Sequence, residues 1–357
     1  MHNLPSEDPR RVRAAELLLT CIAPRVDAAR AVEIAAGGVN WAVLLDRAVR
    51  EKVRPRLLRG LRALPPGAVP ELVIEQLAQS CASLGRHNRE LAARLGDVAA
   101  LLDSAGVKAV SYKGPVLALS AFDDLEAREY SDLDLLVARR DFERARDVLA
   151  GAGFGQVGGE QHVMEYREAE MVRAGDGLNV DLHFGVLPIW FFADIDMQPL
   201  IDASVRKDIS GKPVWAMSSE GALLMLCLEG AREKWRLLQH VCDVAALTES
   251  PRGIDWEKLQ GMTPAPLIRV PKAGVAVARA LLGTADPGLP SALEAVCAQV
   301  RRRALHPDQP RQGLIEENHR FYLWLATRWR DKARLVLRWA PYYARQWYAA
   351  ARRRVPL

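Results

Sequence analysis

The chain has 357 residues, of which 50% are apolar and 26% charged, and its formal net charge is +5. This is the profile of a soluble globular protein with enough apolar sequence for two or three modules. No apolar run approaches membrane-spanning length, so we expect no transmembrane segment. The patch LLLTCIAP (17–24) is too short, and the preceding Glu16 argues against a secretion signal.

The five cysteines, at positions 21, 81, 227, 242 and 297, are odd in number and form no CxxC pair. This pattern favours free thiols in a reducing cytoplasm, used as small core residues. We therefore expect a cytoplasmic protein without a structural zinc site.

Residues 10–105 have the pattern of helices. Between 84 and 102 the apolar positions recur at three- and four-residue steps, as in an amphipathic helix: Leu84, Leu91, Leu95, Val98 and Leu102. LPPGAVP (64–70) separates this helix from an earlier bundle, and Gly106 provides its end.

The pattern changes at Val107. VKAVSY (107–112) predicts a strand, the turn Lys113-Gly114-Pro115 opens a helix, and SDLDLLV (131–137) predicts a second strand. A short helix follows in DFERARDVLAGAGF. Two further strands are predicted at HVMEYREAEMV (162–172) and LNVDLHFGV (178–186), joined by the turn AGDG. Together these segments predict a compact α/β unit with helical sequence on either side.

From Ser219 onward the sequence is helical again, and its last part is strongly basic. Residues 321–357 contain eight Arg and one Lys against Asp331, a net charge of +8, which leaves about −3 for the rest. Nine aromatic residues are interleaved with these charges, and Pro341 predicts two helices instead of one. Such a tail would contact an anionic membrane surface or RNA, or it would pack its aromatic face on the protein.

Three carboxylates and a turn are the candidate site. Asp132 and Asp134 share one face of a strand, although an Asp-x-Asp triplet alone also fits a half-solvated strand end. Asp181 lies on a later strand. The turn at Lys113 and Gly114 presents free backbone N–H groups and a positive helix end, a natural seat for phosphate or merely an ordinary turn.

Convergent carboxylates repel one another unless a cation neutralises them. Mg²⁺ takes oxygen ligands, typically one or two carboxylates plus substrate phosphates. Such ions would hold a nucleoside triphosphate and activate a hydroxyl for in-line attack. Arg128, four residues before Asp132, would pair with a carboxylate or a phosphate, or lie at the surface.

The order KG–helix–R-x₃-D-L-D-L-L-V–helix–G-x-G-F, then V-D-L-H, resembles the nucleotidyltransferase superfamily. More narrowly it is similar to a bacterial group described only as nucleotidyltransferase family proteins, in which the turn is K-G. The resemblance covers most of the chain, with Trp235 and Asp243 also aligned. One departure is Glu229, where the group has histidine after L-C-L. The resemblance implies an α/β (α+β) fold: a small mixed-sheet core at 106–216, between helical regions at 1–105 and 217–357.

The resemblance also implies roles for the motif residues. Asp132, Asp134 and Asp181 would ligate Mg²⁺ or Mn²⁺, and Asp181 would help to deprotonate the acceptor hydroxyl. Lys113 and the amide of Gly114 would hold the triphosphate. Arg128 would be a clamp behind the carboxylates or a phosphate contact. His183 shares a strand face with Asp181 and would be a partner of the metal ligands or simply a satisfied polar residue; His162 is a weaker candidate.

The expected function is metal-dependent transfer of a nucleoside monophosphate from an NTP, with ATP the expected nucleotide, and release of pyrophosphate. The acceptor would be a small molecule (for example a sugar phosphate), a peptide or an RNA end. The sequence shows no recognisable pocket that would select the base. The alternative is a catalytically inactive nucleotide-binding or antitoxin-like module that binds a partner protein. A third hypothesis is an RNA-modifying transferase that uses the basic tail.

Overall fold

The computed structural model describes residues 8–283, 291–305 and 314–352. Within them lies one seven-stranded mixed sheet with the strand order β3-β4-β5-β2-β1-β7-β6. The strands are β1 (Val110–Ser111), β2 (Leu133–Leu136), β3 (Phe154–Val157), β4 (Glu168–Arg173), β5 (Asn179–His183), β6 (Val205–Ile209) and β7 (Lys212–Ala216).

The centre of the sheet combines parallel and antiparallel pairs. β2 pairs in parallel with β5 and antiparallel with β1, and β1 continues in parallel to β7. The outer pairs β3–β4, β4–β5 and β6–β7 are antiparallel. β2 is buried along its whole length, which explains why its sequence, LDLL, is mostly apolar on both faces.

Five helices precede the sheet. They are α1 (Pro9–Ile22), α2 (Ala28–Ala36), α3 (Trp41–Arg50), α4 (Arg54–Arg62) and α5 (Glu71–Ser104). The first three begin at Asp or Asn residues whose side chains accept a hydrogen bond from a backbone N–H of the first turn. α5 begins after Pro70 and packs against β7 and α6.

Four helices lie between the strands: α6 (Gly114–Phe122), α7 (Phe142–Gly151), α8 (Glu160–Tyr166) and α9 (Gln198–Asp202). Seven follow the sheet: α10 (Ser219–Glu233), α11 (Leu238–Glu249), α12 (Trp256–Met262), α13 (Arg269–Leu282), α14 (Ser291–Leu305), α15 (Leu314–Leu325) and α16 (Trp329–Arg352). Single 3₁₀ turns occur at Arg139–Asp141 and Ala265–Leu267. No helix of the described residues has both the length and the apolar character needed to cross a membrane.

The apolar core has two parts. One lies between the sheet and α5, and the other joins helices from both ends of the chain, because α1 contacts α13 and α14. The predicted fold class, a small mixed α/β sheet flanked by helical regions, is confirmed. The division at residues 105 and 216 remains a prediction.

Two details of the sequence prediction are wrong. Residues 160–166 form helix α8 and not the start of a strand; only the second half of the predicted strand forms β4. Glu160 in the first turn complements the helix dipole, and Arg167, with a left-handed φ of +64°, ends the helix. The sequence analysis also missed the hairpin β6–β7, whose Ser210-Gly211 turn has positive φ at both residues.

The tail is also organised differently from the prediction. Its break lies between α15 and α16, and α16 continues through Pro341. A proline inside a helix removes the hydrogen bond to the carbonyl four residues earlier, here that of Leu337. Because Leu337 lies at the surface, water can replace that bond.

Candidate functional site

The two central parallel strands bring the key carboxylates side by side. Asp134 on β2 is the direct register partner of Asp181 on β5. Residues in register on neighbouring strands point to the same face of the sheet. Two aspartates separated by 47 positions in the sequence therefore meet at one point, as the sequence analysis requires for a shared cation.

A third potential ligand lies beside this pair. Ligand atoms of Asp134, Asp181 and His183 all lie within 4.8 Å of one another. His183 Nε2 is 3.5 Å from Asp134 Oδ1, and Nδ1 is 3.4 Å from Glu168 Oε2 on β4. His183 is thus close enough to offer a ligand atom to any cation that Asp134 and Asp181 hold.

The donor set fits a divalent cation. Asp181 Oδ1 is buried and has no hydrogen-bond partner among the described residues. A buried carboxylate oxygen without a partner is costly unless a cation or an ordered water satisfies it. Two carboxylates and one imidazole suit Mn²⁺, and the carboxylates with substrate oxygens suit Mg²⁺.

Asp132 lies at the edge of this group. It is half-buried just before β2, and the ligand set described above does not include it. Burial and the neighbouring Asp134 carboxylate raise the pKa of Asp132, so the two charges interact. His162, the weaker candidate, is not one of these ligands. It is exposed on α8, and the centroid of its ring lies 4.6 Å from that of Tyr166.

The pKa values indicate a shortage of positive charge. Burial, with the Asp134 carboxylate next, raises the pKa of Asp181 to about 7. For Asp134 burial acts in the same direction, but Lys113 and His183 outweigh it and lower the pKa. Asp134 is thus the ionised carboxylate of the pair, and near neutral pH Asp181 is only partly ionised unless another cation lies beside it.

Among the ion pairs of the described residues, Asp134 contacts the ammonium of Lys113 and the imidazole of His183, and Lys113 carries the permanent positive charge. Its Nζ donates to Asp134 Oδ1 at 3.1 Å and lies 2.9 Å from Glu229 Oε2. Burial opposes protonation, but the two carboxylates raise the pKa of Lys113. Its side chain remains 16% exposed, so the ammonium lies at the border between the interior and solvent.

Gly114 allows the chain to turn sharply into α6. Its φ is +51°, a left-handed conformation that favours glycine. A Cβ there would lie 3.6 Å from the carbonyl oxygen of Asp132, which shows how closely the turn approaches the strand that carries the carboxylates. The start of α6, where the first N–H groups of a helix lack partners within the helix, therefore lies beside the candidate site.

Glu229 is a site residue for which the sequence analysis assigned no role. It is 4% exposed on α10, accepts a hydrogen bond from Tyr112 OH at 3.0 Å and pairs with Lys113. Burial, then the charge of Glu229, raises the pKa of Tyr112. Its one signal in the sequence is a carboxylate inside the apolar run LLMLCLEG, since a buried charge needs a partner.

Arg128 lies behind the carboxylates. Its Nε donates to both oxygens of Asp243 on α11 at 3.1 and 3.0 Å, and both side chains are almost completely buried. This contact ties the segment before β2 to the C-terminal helices. Of the two roles considered for Arg128, the geometry supports the clamp.

Further contacts hold the same segment. Arg54 at the start of α4 donates backbone and side-chain hydrogen bonds to Glu129. Asn88 on α5 donates to the carbonyl of Arg128, and Gln239 on α11 donates to that of Glu129. Helices from both ends of the chain thus fix the approach to β2, which determines where Asp132 and Asp134 lie.

Comparison with known proteins identifies the family of the chain. Residues 37–266 match the family model described as "Uncharacterised nucleotidyltransferase". No curated protein matches the chain. A crystal structure of an antigenic nucleotidyltransferase-like protein from Paracoccidioides brasiliensis matches with 20% identity and a TM-score of 0.30, covering 44% of this chain and 75% of that one. The family match spans almost two thirds of the 357 residues, so the chain belongs to the uncharacterised nucleotidyltransferase family, and nucleotidyl transfer is its general chemistry.

Proposed function

We propose that this member of the family transfers a nucleoside monophosphate from an NTP, ATP by expectation, to a hydroxyl or phosphate acceptor and releases pyrophosphate. One observation carries the proposal: Asp134 and Asp181 are register partners on parallel strands, directly beside Lys113 and the start of α6. A carboxylate pair next to a helix start is what a metal-bound triphosphate requires.

Asp134 and Asp181 would hold a divalent cation, with Asp132 or His183 completing the set. When bound, Mg²⁺ or Mn²⁺ neutralises the triphosphate and acidifies the acceptor hydroxyl. The raised pKa of Asp181 and its unpartnered Oδ1 support this assignment, because both indicate a place for additional positive charge. Glu168, beside His183, adds to the negative potential.

The chain's own residues position the reactants. Lys113 and the amide of Gly114 hold the phosphates at the start of α6, while Arg128 fixes the strand from behind through Asp243. The acceptor oxygen attacks the α-phosphorus, the bond to the bridging β-phosphate oxygen breaks, and pyrophosphate leaves. The acceptor proton passes to Asp181.

Calorimetric titration tests this proposal directly. The protein is titrated with analogues of ATP, GTP, CTP and UTP blocked at the α–β bond, with and without Mg²⁺. We expect binding that requires the metal and is lost in Asp134→Asn. Asp147→Asn, an exposed aspartate on α7, is the matched control and should bind normally. Absence of binding for every triphosphate would overturn the proposal.

A second candidate is a non-catalytic nucleotide-binding or antitoxin-like module. The Lys113 bridge between Asp134 and Glu229 favours it, since an ammonium already present on Asp134 can substitute for a cation. Partner capture separates the two functions. A protein partner retained equally by Asp134→Asn, together with no turnover of any NTP, would establish the module and exclude the transferase.

A further inference from the structure

Among the described side chains of helix α16, those of residues 329–340, the buried ones lie along one side. Asp331, Leu335 and Trp339 follow one another at four-residue steps and so lie on one side of the helix. Asp331 and Leu335 are buried, and the Trp339 ring stacks on that of His319 in α15 with centroids 3.8 Å apart. This row is the inward face.

The opposite side is apolar and exposed. Trp329, Ala333 and Leu337 form another four-residue row, half a turn from the inward face. Trp329 is 73% exposed, Leu337 is 72% exposed, and the adjacent Val336 is 52% exposed. Large apolar side chains at such exposure, grouped on one helix face, mark an interaction surface.

Basic residues flank this apolar face. Arg330, Arg334 and Arg338 form the row on one side, Lys332 lies on the other, and all four are exposed. Asp331 is the only acidic residue in the sequence of α16, and it points inward. The outward half of the described helix therefore carries positive charge without any negative charge. In the sequence, arginine recurs at positions 345 and 352, seven and fourteen residues after Arg338.

A loop next to the helix adds to this surface. Arg338 Nη2 donates to the carbonyl of Ile189 at 3.0 Å. Ile189 and Trp190 are themselves exposed apolar residues. They follow β5 closely, so the loop that leaves the candidate site runs to the side of α16.

We propose that the outward face of α16, formed by Trp329, Val336 and Leu337 between Arg330, Arg334 and Lys332, docks on an anionic lipid surface. A helix with an apolar stripe between basic rows lies in the plane of the headgroups, with its apolar side chains inserted and its charges on the anionic lipids. Charge complementarity supports this occupant, since every exposed charge on the face is positive.

Single-stranded RNA fits this face less well. RNA-binding surfaces use several aromatic side chains to stack bases and polar groups to read them. Of the three apolar side chains of this face only Trp329 can stack on a base, and Val336 and Leu337 offer neither contact. A membrane uses both components of the face, the aliphatic stripe and the flanking charges. The proposal concerns a surface separate from the carboxylates and does not depend on the nucleotide chemistry.

Vesicle co-sedimentation of the full chain tests the proposal. Vesicles of phosphatidylcholine alone are compared with vesicles containing about one third phosphatidylglycerol. We expect sedimentation with the anionic vesicles only, and weaker binding as salt increases. Arg330→Gln/Arg334→Gln should reduce the affinity by about 30-fold, at roughly 1 kcal/mol for each charge near the surface.

Matched control variants show whether a change in vesicle binding comes from the α16 face or from a general loss of exposed apolar side chains or positive charge. Trp329→Ser/Leu337→Ser should abolish vesicle binding, whereas Leu72→Ser/Trp256→Ser, an exposed pair on α5 and α12, should leave it unchanged. Arg86→Gln/Arg302→Gln is the control for charge, since both are exposed helix arginines. If a serine variant fails to fold, as judged by thermal unfolding, the arginine pair decides.

Three outcomes would overturn the proposal. The first is equal binding to neutral and anionic vesicles, or binding to neither. The second is tight binding to single-stranded RNA that Trp329→Ser/Leu337→Ser abolishes, with no vesicle binding, which would assign the face to RNA. The third is a dimer in light scattering that the serine pair dissociates, again with no vesicle binding, which would assign the face to a second copy of the chain.

Discussion

Two ionic clusters adjoin the segment that enters β2, and they differ in charge balance. Behind the segment, Arg128 pairs with Asp243 and Arg54 with Glu129, one cation for each carboxylate. In front of it, the carboxylates of Asp132, Asp134, Asp181 and Glu168 lie together, and the ion-pair contacts to them come from His183 and from Lys113, which is also bound to Glu229. The charges of Lys52 and Arg128 act on Asp132 from farther away.

This difference separates a structural role from a ligand-binding one. A balanced pair is satisfied by the protein alone, so we assign it the role of holding the backbone. The unbalanced cluster retains a raised carboxyl pKa and an unpartnered oxygen, which a cation from solution would resolve. The comparison predicts that substitutions behind β2 cause the larger losses of stability, while those in front cost less stability and mainly change ligand binding or the pH dependence of stability.

The largest effect is expected for Arg128→Ala. It leaves Asp243 as a buried charge without its cation, which costs about 3–5 kcal/mol of unfolding free energy. Urea denaturation measures this, with the exposed Arg86→Ala as control. The double variant Arg128→Met/Asp243→Leu should recover most of the loss. A loss below about 1 kcal/mol for Arg128→Ala would contradict the clamp role.

Asp181→Asn should remove a pH dependence of the free energy of unfolding that the unbalanced cluster causes. The folded-state pKa of Asp181, about 7, lies above that of the unfolded chain. Between pH 4 and 7 the folded protein therefore holds a proton that the unfolded chain has released, and the free energy of unfolding falls as pH rises. After allowance for solvent screening we expect a fall of about 1–2 kcal/mol, absent in Asp181→Asn.

The measurement is urea denaturation in a metal-chelating buffer at pH 5 and pH 8. At pH 8 Asp181→Asn should be more stable than the unmodified protein, and adding Mg²⁺ should stabilise only the latter. Parallel pH profiles for the two proteins would show that Asp181 is not the group responsible.

Gly114→Ala should lower the free energy of unfolding by about 1–2 kcal/mol, because alanine is strained at a φ of +51°. Gly151→Ala is the matched control: this glycine lies in α7, and a Cβ there would meet no atom within 4 Å. The control should be neutral or slightly stabilising. Thermal unfolding of the two variants compares them; equal midpoints would show that the turn at Gly114 is not constrained.

The smallest effect is expected for Tyr112→Phe. It removes the hydrogen bond from Tyr112 to Glu229, while the ion pair of Glu229 with Lys113 remains. We therefore expect the free energy of unfolding to fall by about 1 kcal/mol. Tyr166→Phe, a half-buried tyrosine on α8, is the control in the same urea titration. A loss as large as that of Arg128→Ala would mean that the front cluster is also a structural element.

Local sequence patterns were sufficient to predict the secondary structure of much of the chain. The alternation around Asp132 and Asp134, the glycine turn at Lys113 and the helical spacing after Ser219 are short-range signals, and the corresponding elements β2, α6 and α10 are present. The helix at 160–166 was missed because seven residues hold too little periodicity to separate helix from strand. The hairpin β6–β7 has a local signal, the dipeptide Ser210-Gly211, which is typical of a tight turn between two strands.

The sequence by itself determined the carboxylates, the turn and the family resemblance, because each depends on neighbouring residues. The tertiary structure alone decided the partners: Asp134 with Asp181, Lys113 with Glu229, and Arg128 with Asp243. These contacts join positions 47, 116 and 115 residues apart. Strand register and helix packing set such distances, and no local pattern encodes them.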